Sequence, residues 1–352
     1  MLSASEASRS FPFAIAQGDR LTEPARQHLN NNRLPNPSGA FRVNLLEGHA
    51  PLEPCAPMPP PQGLPVVQSR GEMKACRARR FSVWAIGCLV TLAAVMLAGF
   101  WWGERIEVTH LRLPLEGVPA PFRLAVLSDI HLGAGGRGME RWRQALALVQ
   151  QEQPDAILLL GDYVTSHAGI PSLKQALEGI QAPLGVYAVP GNHDHWAGSG
   201  KVTSIVEAQG IQMLTNQAVR LRKGGGELWL VGVDDLWSGE PDWQRAFRDV
   251  PRDALVVLLS HNPDAALSPY RERADLILSG HTHGGHLWLP LARLLARALG
   301  ITLIPHSEYG NQVAHGLRRE GRTWVYVTSG ITAGSRLPRW LNAREVVIVE
   351  VQ

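Results

Sequence analysis

Between Phe81 and Trp102 the chain runs for 22 residues, FSVWAIGCLVTLAAVMLAGFWW, without a charge. A helix over this run is roughly 33 Å long at about 1.5 Å per residue, enough to cross a hydrocarbon layer of about 30 Å. Trp101 and Trp102 close it, where interfacial aromatics sit. So long an uncharged run is expected to be a membrane span rather than a core helix. Arg70, Lys74, Arg77, Arg79 and Arg80 precede it, against Arg105 and Arg112 after it. The positive-inside rule then places the N-terminus in the cytoplasm and residues 103–352 outside it, giving a single-pass protein of the inner (plasma) membrane. No small-residue cleavage site follows the run, which favours an uncleaved anchor over a removed signal peptide.

The span divides the chain into three. Of the 25 prolines, 11 lie in residues 1–70, including Pro57-Met58-Pro59-Pro60-Pro61. No apolar period survives that spacing, so residues 1–72 read as a disordered, Pro-rich region. Met73 is an alternative start of the chain. Residues 73–102 form the basic flank and the span, and residues 103–352 are long enough for a sizeable core. The chain holds 34 Lys+Arg and 31 Asp+Glu; residues 1–102 account for 10 and 6, leaving 24 and 25 for the rest. The outer domain is thus nearly neutral, which argues against a nucleic-acid partner. Cys55, Cys76 and Cys88 all precede it, so it has neither a disulfide framework nor thiolate metal ligands.

Within the outer domain, apolar runs rich in β-branched residues occur at Phe122–Leu127, Ala156–Leu160, Gly185–Val189, Leu228–Val233, Ala254–Leu259, Leu276–Leu278, Trp324–Thr328 and Val346–Val351. Met139, Trp142, Leu146 and Val149 fall at helical spacing between the first two, with shorter helical patterns near Leu173–Ile180 and Trp243–Val250. Such alternation predicts a layered α/β domain. Polar residues stand at the ends of these strands: Ser128-Asp129-Ile130-His131, Gly161-Asp162, Gly191-Asn192-His193-Asp194, Ser260-His261-Asn262 and Gly280-His281-Thr282-His283-Gly284-Gly285. A lone Asp there is commonly a cap or turn residue. Five strand ends that each deliver Asp, Asn or His point instead to a metal site at the carboxyl edge of a sheet. Mixed nitrogen and oxygen donors without thiolates suit Mn²⁺, Fe²⁺ or Zn²⁺.

The ordered set D-x-H, G-D, G-N-H-D, H and G-H-x-H, from Asp129 to His283, resembles the calcineurin-like metallophosphoesterase superfamily. The strings S-D-I-H-L-G and S-G-H-T-H-G-G, the apolar anchor and the closing YVTSGITAGSRLPRW…EVVIVEV are similar to its bacterial, membrane-anchored branch, some members of which act on UDP-diacylglucosamine-type lipids. The resemblance implies an αββα sandwich preceded by one transmembrane helix, with two divalent ions between the strand ends. It implies Asp129, His131, Asp162 and His283 as ligands of one ion. Asp162 would bridge to a second ion completed by Asn192, His261 and His281. It further implies in-line hydrolysis of a phosphodiester or pyrophosphate bond by a metal-bound hydroxide, with His193 donating toward the leaving oxygen and Asp194 orienting His193.

The expected substrate is a phosphoester, with a lipid headgroup as one candidate. A metal-free binding module on the same fold and a nuclease are the alternatives; the intact ligand set argues against the first and the neutral outer domain against the second. His195 is expected outside the ligand set, and His286 stands where Gln is usual in the relatives. Leu287–Leu303, with Arg293 and Arg297 four apart, reads as an amphipathic helix beside the site. Arg336 and Arg339 are cationic candidates for a second phosphate, while Glu308 and Tyr309 are placed near the site by nothing local. His167, His306 and His315 read as background.

Overall fold

The computed structural model describes residues 69–352 apart from 116–119, 134–136, 286–294, 296–297, 300 and 333–338. The expectations for residues 1–68, His286, Arg293, Arg297, Arg336 and most of Leu287–Leu303 lie outside the described residues. The uncharged run is helical throughout, inside α1 (Ser69–Gly103). From Arg77 to Gly103 the mean hydropathy reaches 2.2 and only 6% of the most apolar window is buried, so this is not a core helix. It is long and apolar enough to cross a bilayer.

The end of α1 is joined to the domain. Leu341 donates its backbone N–H to the Gly99 carbonyl (3.0 Å). A Cβ on Gly99 would lie 2.0 Å from the Trp340 indole, so only glycine allows this approach. Glu104, just past the helix, accepts from Arg141 (2.5 Å) and Arg344 (2.8 Å). Arg105 lies 4.9 Å and 5.4 Å from the rings of Trp101 and Trp102.

Beyond the helix, two six-stranded sheets face each other among the described residues. The first contains β1 (Ile106–Leu113), β2 (Phe122–Leu127), β3 (Ala156–Leu159), β4 (Val186–Ala188), β5 (Gln212–Met213) and β12 (Arg344–Val351), in the order β1-β12-β2-β3-β4-β5. The second contains β6 (Gln217–Lys223), β7 (Gly226–Gly232), β8 (Val256–Leu259), β9 (Leu276–Ser279), β10 (Gly316–Glu320) and β11 (Thr323–Val327), in the order β10-β11-β9-β8-β7-β6. β2 through β5 are parallel, as are β7, β8, β9 and β11. Their carboxyl ends therefore share one edge within each sheet.

Strand alternation divides the core into three apolar layers. Leu124, Val126 and Leu158 point between the sheets, against Leu230, Val257, Leu278 and Tyr326. Ala125, Leu127 and Leu159 point outward, beneath α2 (Arg137–Glu152), α3 (Ile170–Leu177) and α5 (Ser199–Glu207). On the far side Val231, Leu258 and Ile277 pack with Phe247 and Val250, beside α6 (Trp243–Ala246). Two short helices, α4 (Asn192–Trp196) and α7 (Glu308–Gln312), complete the elements used below. This is the expected αββα sandwich. Central strands buried on both faces read as unbroken apolar runs because neither face meets water.

Where the sheets meet, Glu345 at the start of β12 is a fully partnered buried carboxylate. It accepts from Thr109 on β1 (2.6 Å), Tyr326 on β11 (2.6 Å) and Thr328 (2.8 Å). His315 adds a contact at 3.2 Å. Burial works against the charge, but the His315 and hydroxyl partners outweigh it and hold the carboxyl at about 2.

Candidate metal centre

Three of the five ligand-bearing loops leave their strands through left-handed backbone. Asp129, His131, Asp162, His281 and His283 all adopt positive φ, at 57°, 48°, 55°, 69° and 50°. Such a backbone costs a non-glycine residue about 1–2 kcal/mol. Five such costs within one edge mark a site rather than a stability feature. Glycines provide the room: a Cβ on Gly280 would lie 2.0 Å from Ser128 Oγ and 2.6 Å from Asp129 Oδ2, and one on Gly191 would lie 2.3 Å from Asp162 Oδ1.

The seven residues that the family resemblance implies as ligands form one connected cluster. Asp162 Oδ2 lies 3.2 Å from His261 Nε2 and 3.4 Å from His131 Nε2, so a single carboxylate oxygen faces imidazoles carried by opposite sheets. Its other oxygen accepts the His193 backbone N–H (2.9 Å). Asp129 Oδ1 lies 3.8 Å from His131 Nε2 and 3.7 Å from His283 Nδ1. Asn192 Oδ1 lies 3.0 Å from His281 Nδ1, and the His261 and His281 rings are 5.2 Å apart. Donor atoms of Asp129, His131 and His283, and of Asp129, Asp162 and His261, lie within 4.8 Å of one another.

A cation fits this arrangement because the protein leaves its polar atoms without other partners. Asp129 Oδ1, His131 Nε2 and His261 Nε2 are buried and accept or donate no hydrogen bond. Leaving one such atom unpaired costs about 1–3 kcal/mol, so three facing one another call for a shared ion. The backbone also prepares the rings: His261 Nδ1 meets the Leu160 carbonyl (2.6 Å), His281 Nε2 that of Pro305 (3.2 Å) and His283 Nδ1 that of Thr332 (3.0 Å). A carbonyl can only accept, so His261 and His283 carry the proton on Nδ1, which fixes tautomer and ring orientation, while His281 meets an acceptor oxygen at each nitrogen.

Burial pushes His131 down to about 3 and His281 to about 4, so both are neutral imidazoles, the form that binds metal. Burial raises Asp129 to about 6. At Asp162 burial works the other way from the outcome: His261 beside it outweighs burial and keeps the carboxyl well below its ordinary range. His261 is correspondingly raised by Asp162 against its own burial.

His193 stands beside the cluster, its ring 4.7 Å from that of His131. Its Nδ1 meets the Thr165 carbonyl at 2.8 Å. The expected pairing with Asp194 is therefore corrected. Asp194 Oδ2 accepts the backbone N–H of Asp162 (2.8 Å) and Gly191 (3.0 Å), and Oδ1 accepts that of Tyr163 (2.9 Å). The carboxylate lies under the Asp162 turn as its backbone staple, because α4 turns the side chain of its third residue back toward its own start. Burial raises it to about 7 even so.

Other expectations also change. Arg339 is buried at 1% exposure and cannot meet a substrate. Its guanidinium donates to the carbonyls of Ser329 (2.5 Å), Thr332 (2.7 Å) and Gly330 (3.2 Å). It thereby shapes the loop whose Gly330 lies against Asp129. His195 bonds Asp234 (2.7 Å), outside the cluster. Tyr309 is buried and donates to Glu320 (3.0 Å). Sequence reasoning missed Asn342, which donates to the His283 carbonyl (2.7 Å), and it missed the aromatic wall of Trp196 and Trp237. Both tryptophans left a signal. Trp196 follows His193 by three residues on α4, and Trp237 follows Asp234-Asp235 at the one early strand end that the pattern skipped.

Residues 122–285 match the family of calcineurin-like phosphoesterases. The chain is 32% identical over 261 residues to the Escherichia coli (strain K12) phosphodiesterase YaeI, which covers 71% of this chain and 88% of that protein. It is 28% identical over 295 residues to YkuE of Bacillus subtilis (strain 168), described as an uncharacterized metallophosphoesterase, covering 78% of this chain and 98% of that protein. A Danio rerio transmembrane protein with metallophosphoesterase domain is 27% identical over 281 residues, covering 75% of this chain and 61% of its own length.

Proposed function

The chain belongs to the calcineurin-like phosphoesterase family and is a metal-dependent phosphoester hydrolase, and from that premise we propose a membrane-anchored enzyme that cleaves a phosphodiester or pyrophosphate bond. In this reading residues 1–72 are a Pro-rich region, 73–102 the anchor and 103–352 the catalytic domain. The observation that carries it is the single Asp162 oxygen set between His131 and His261, 3.4 Å and 3.2 Å from their nitrogens. A carboxylate so placed is suited to bridge two ions.

Asp129, His131, Asp162 and His283 would hold one divalent ion, and Asp162, Asn192, His261 and His281 the other. Mn²⁺, Fe²⁺ or Zn²⁺ suits these donors. When bound, such a pair supplies Lewis acidity toward phosphoryl oxygens and lowers the pKa of the attacking water. His193 faces the same pocket with its Nδ1–H donated to the Thr165 carbonyl, so a second proton, carried on Nε2, would be the one passed to the oxygen of the departing alcohol. Asp194 acts through the backbone, holding Asp162 in its strained turn.

A lipid headgroup is the finer substrate we favour, because the anchor would hold the domain at a membrane surface. The N-terminus would be cytoplasmic and the domain outside the inner membrane. The test is hydrolysis of bis(p-nitrophenyl) phosphate by detergent-solubilised protein with Mn²⁺, expected to disappear on chelation. Full activity after complete metal removal would sink the reading. A reporter fused after Gln352 should be active only outside the cytoplasm.

A further inference from the structure

The pocket over the metal cluster is small, about 230 Å³, and one wall of it is aromatic. Trp196 lies against His193, with centroids 4.6 Å apart, and meets Trp237 edge-to-face at 4.8 Å and 87°. Trp237 is held by its neighbours. His306 stacks on one face of Trp237 at 4.1 Å and 17°, the His281 ring stands nearly perpendicular to Trp237 with centroids 5.8 Å apart, and the Trp237 backbone N–H bonds Asp235 (3.0 Å). Trp196 by contrast remains 48% exposed, whereas Trp142 in the core is fully buried. The two indoles thus make a right-angled corner in which Trp196 is half-exposed, directly beside the histidine that faces the leaving oxygen.

We propose that this corner is a subsite for a planar ring, aryl or heteroaryl, on the leaving alcohol of the substrate. A flat ring in the corner meets one indole face-on and the other edge-on, the two arrangements that the aromatic quadrupole favours. A phosphoryl group and one ring fit within that volume. Stacking of a ring on an aromatic side chain is worth about 1–3 kcal/mol per ring by alanine substitution. Assignment to the leaving side rests on the hydrolase reading above, because it is His193 that marks that side.

Affinity separates the two ideas. With Mn²⁺-loaded full-length protein, calorimetry should show benzylphosphonate binding about 10-fold tighter than cyclohexylmethylphosphonate, which is more apolar but not flat; this corresponds to about 1.4 kcal/mol. Trp196→Leu should reduce that ratio to near one, and Trp196→Phe should keep most of it. Equal affinities in the wild type would overturn the subsite. So would a Trp196→Leu variant that loses benzylphosphonate and methylphosphonate binding by the same factor, since the ring would then merely support the site. For benzyl methyl phosphate, phosphorus NMR should show release of benzyl alcohol in preference to methanol; the reverse preference would overturn the leaving-side assignment. Absent Mn²⁺-dependent cleavage of bis(p-nitrophenyl) phosphate would count against the hydrolase reading, and the affinity ratio would still decide the subsite.

Discussion

The two ends of the parallel strands make an instructive pair. At the amino ends of β7, β8, β9 and β11 lies the larger hollow, about 690 Å³, lined by Trp229, Asp253, Asp275, Arg319, Arg322 and Trp324. Its arginines are engaged in ordinary ways: Arg322 pairs with Asp275 at 3.4 Å, and Arg319 lies over Trp324 at 5.1 Å. At the carboxyl ends the pocket is a third of that size, yet beside it lie five proposed ligand residues with left-handed backbone and the unpartnered atoms of Asp129, His131 and His261. Volume alone would choose the wrong end. The better guide is where the fold tolerates costs that nothing in its own stability explains.

The sharpest test of this contrast is Asp162→Asn. It should lower activity by on the order of 10³-fold, comparable to removing a preorganised electrostatic group. Metal analysis should show both ions weakened together, and a variant retaining two ions at wild-type affinity would refute the bridge. Next in size is metal itself. At an ion concentration 100 times its dissociation constant, binding should stabilise the fold by about 2.7 kcal/mol in thermal melts, and Asp162→Asn should abolish most of that shift.

Gly280→Ala should cost about 1–3 kcal/mol and weaken metal binding, because its methyl would be forced against Ser128 and Asp129. A smaller effect distinguishes two carboxylates at the same edge. Glu345, unlike Asp129, has every oxygen partnered, and its folded-state value of about 2 lies below the ordinary 4.5. Its contribution to stability is present above about pH 4.5 and is lost as pH falls toward 2. Acid titration of the fold should show that slope in the wild type and lose it in Glu345→Gln. The smallest effect belongs to the large hollow: Arg322→Ala should change stability by less than about 0.5 kcal/mol and activity by less than about two-fold.

The same contrast explains what could be read from the sequence. The eight strands expected from apolar runs are the eight interior ones. The four that escaped are the four edges: β1 and β5 in one sheet, β6 and β10 in the other. Their sequences IEVTHLRL, QAVRLRK and GLRRE carry charge along the exposed side, and β5 has only two residues. These edges are charged, or in β5 short, because unpaired backbone must not recruit another strand, and that protection erases the pattern. At the site, the proposed ligands were legible because polar residues interrupt apolar strands at one end. The partners that orient them were not. Thr165, Thr332 and Leu160 contribute backbone carbonyls, which leave no mark in side-chain chemistry, and Asp194 acts on amides some 30 positions away.

One joint has a consequence for how substrate arrives. Leu341 is bonded to Gly99, and its neighbour Asn342 is bonded to the His283 loop, so α1 and the proposed ion cage are one residue apart through this segment. A leash would let the globule wander over a hemisphere; a bracket of this kind sets its altitude. Were α1 seated in a bilayer, as proposed, encounter would become a search over an area instead of a volume, and reach would be decided by which molecules drift sideways to that height.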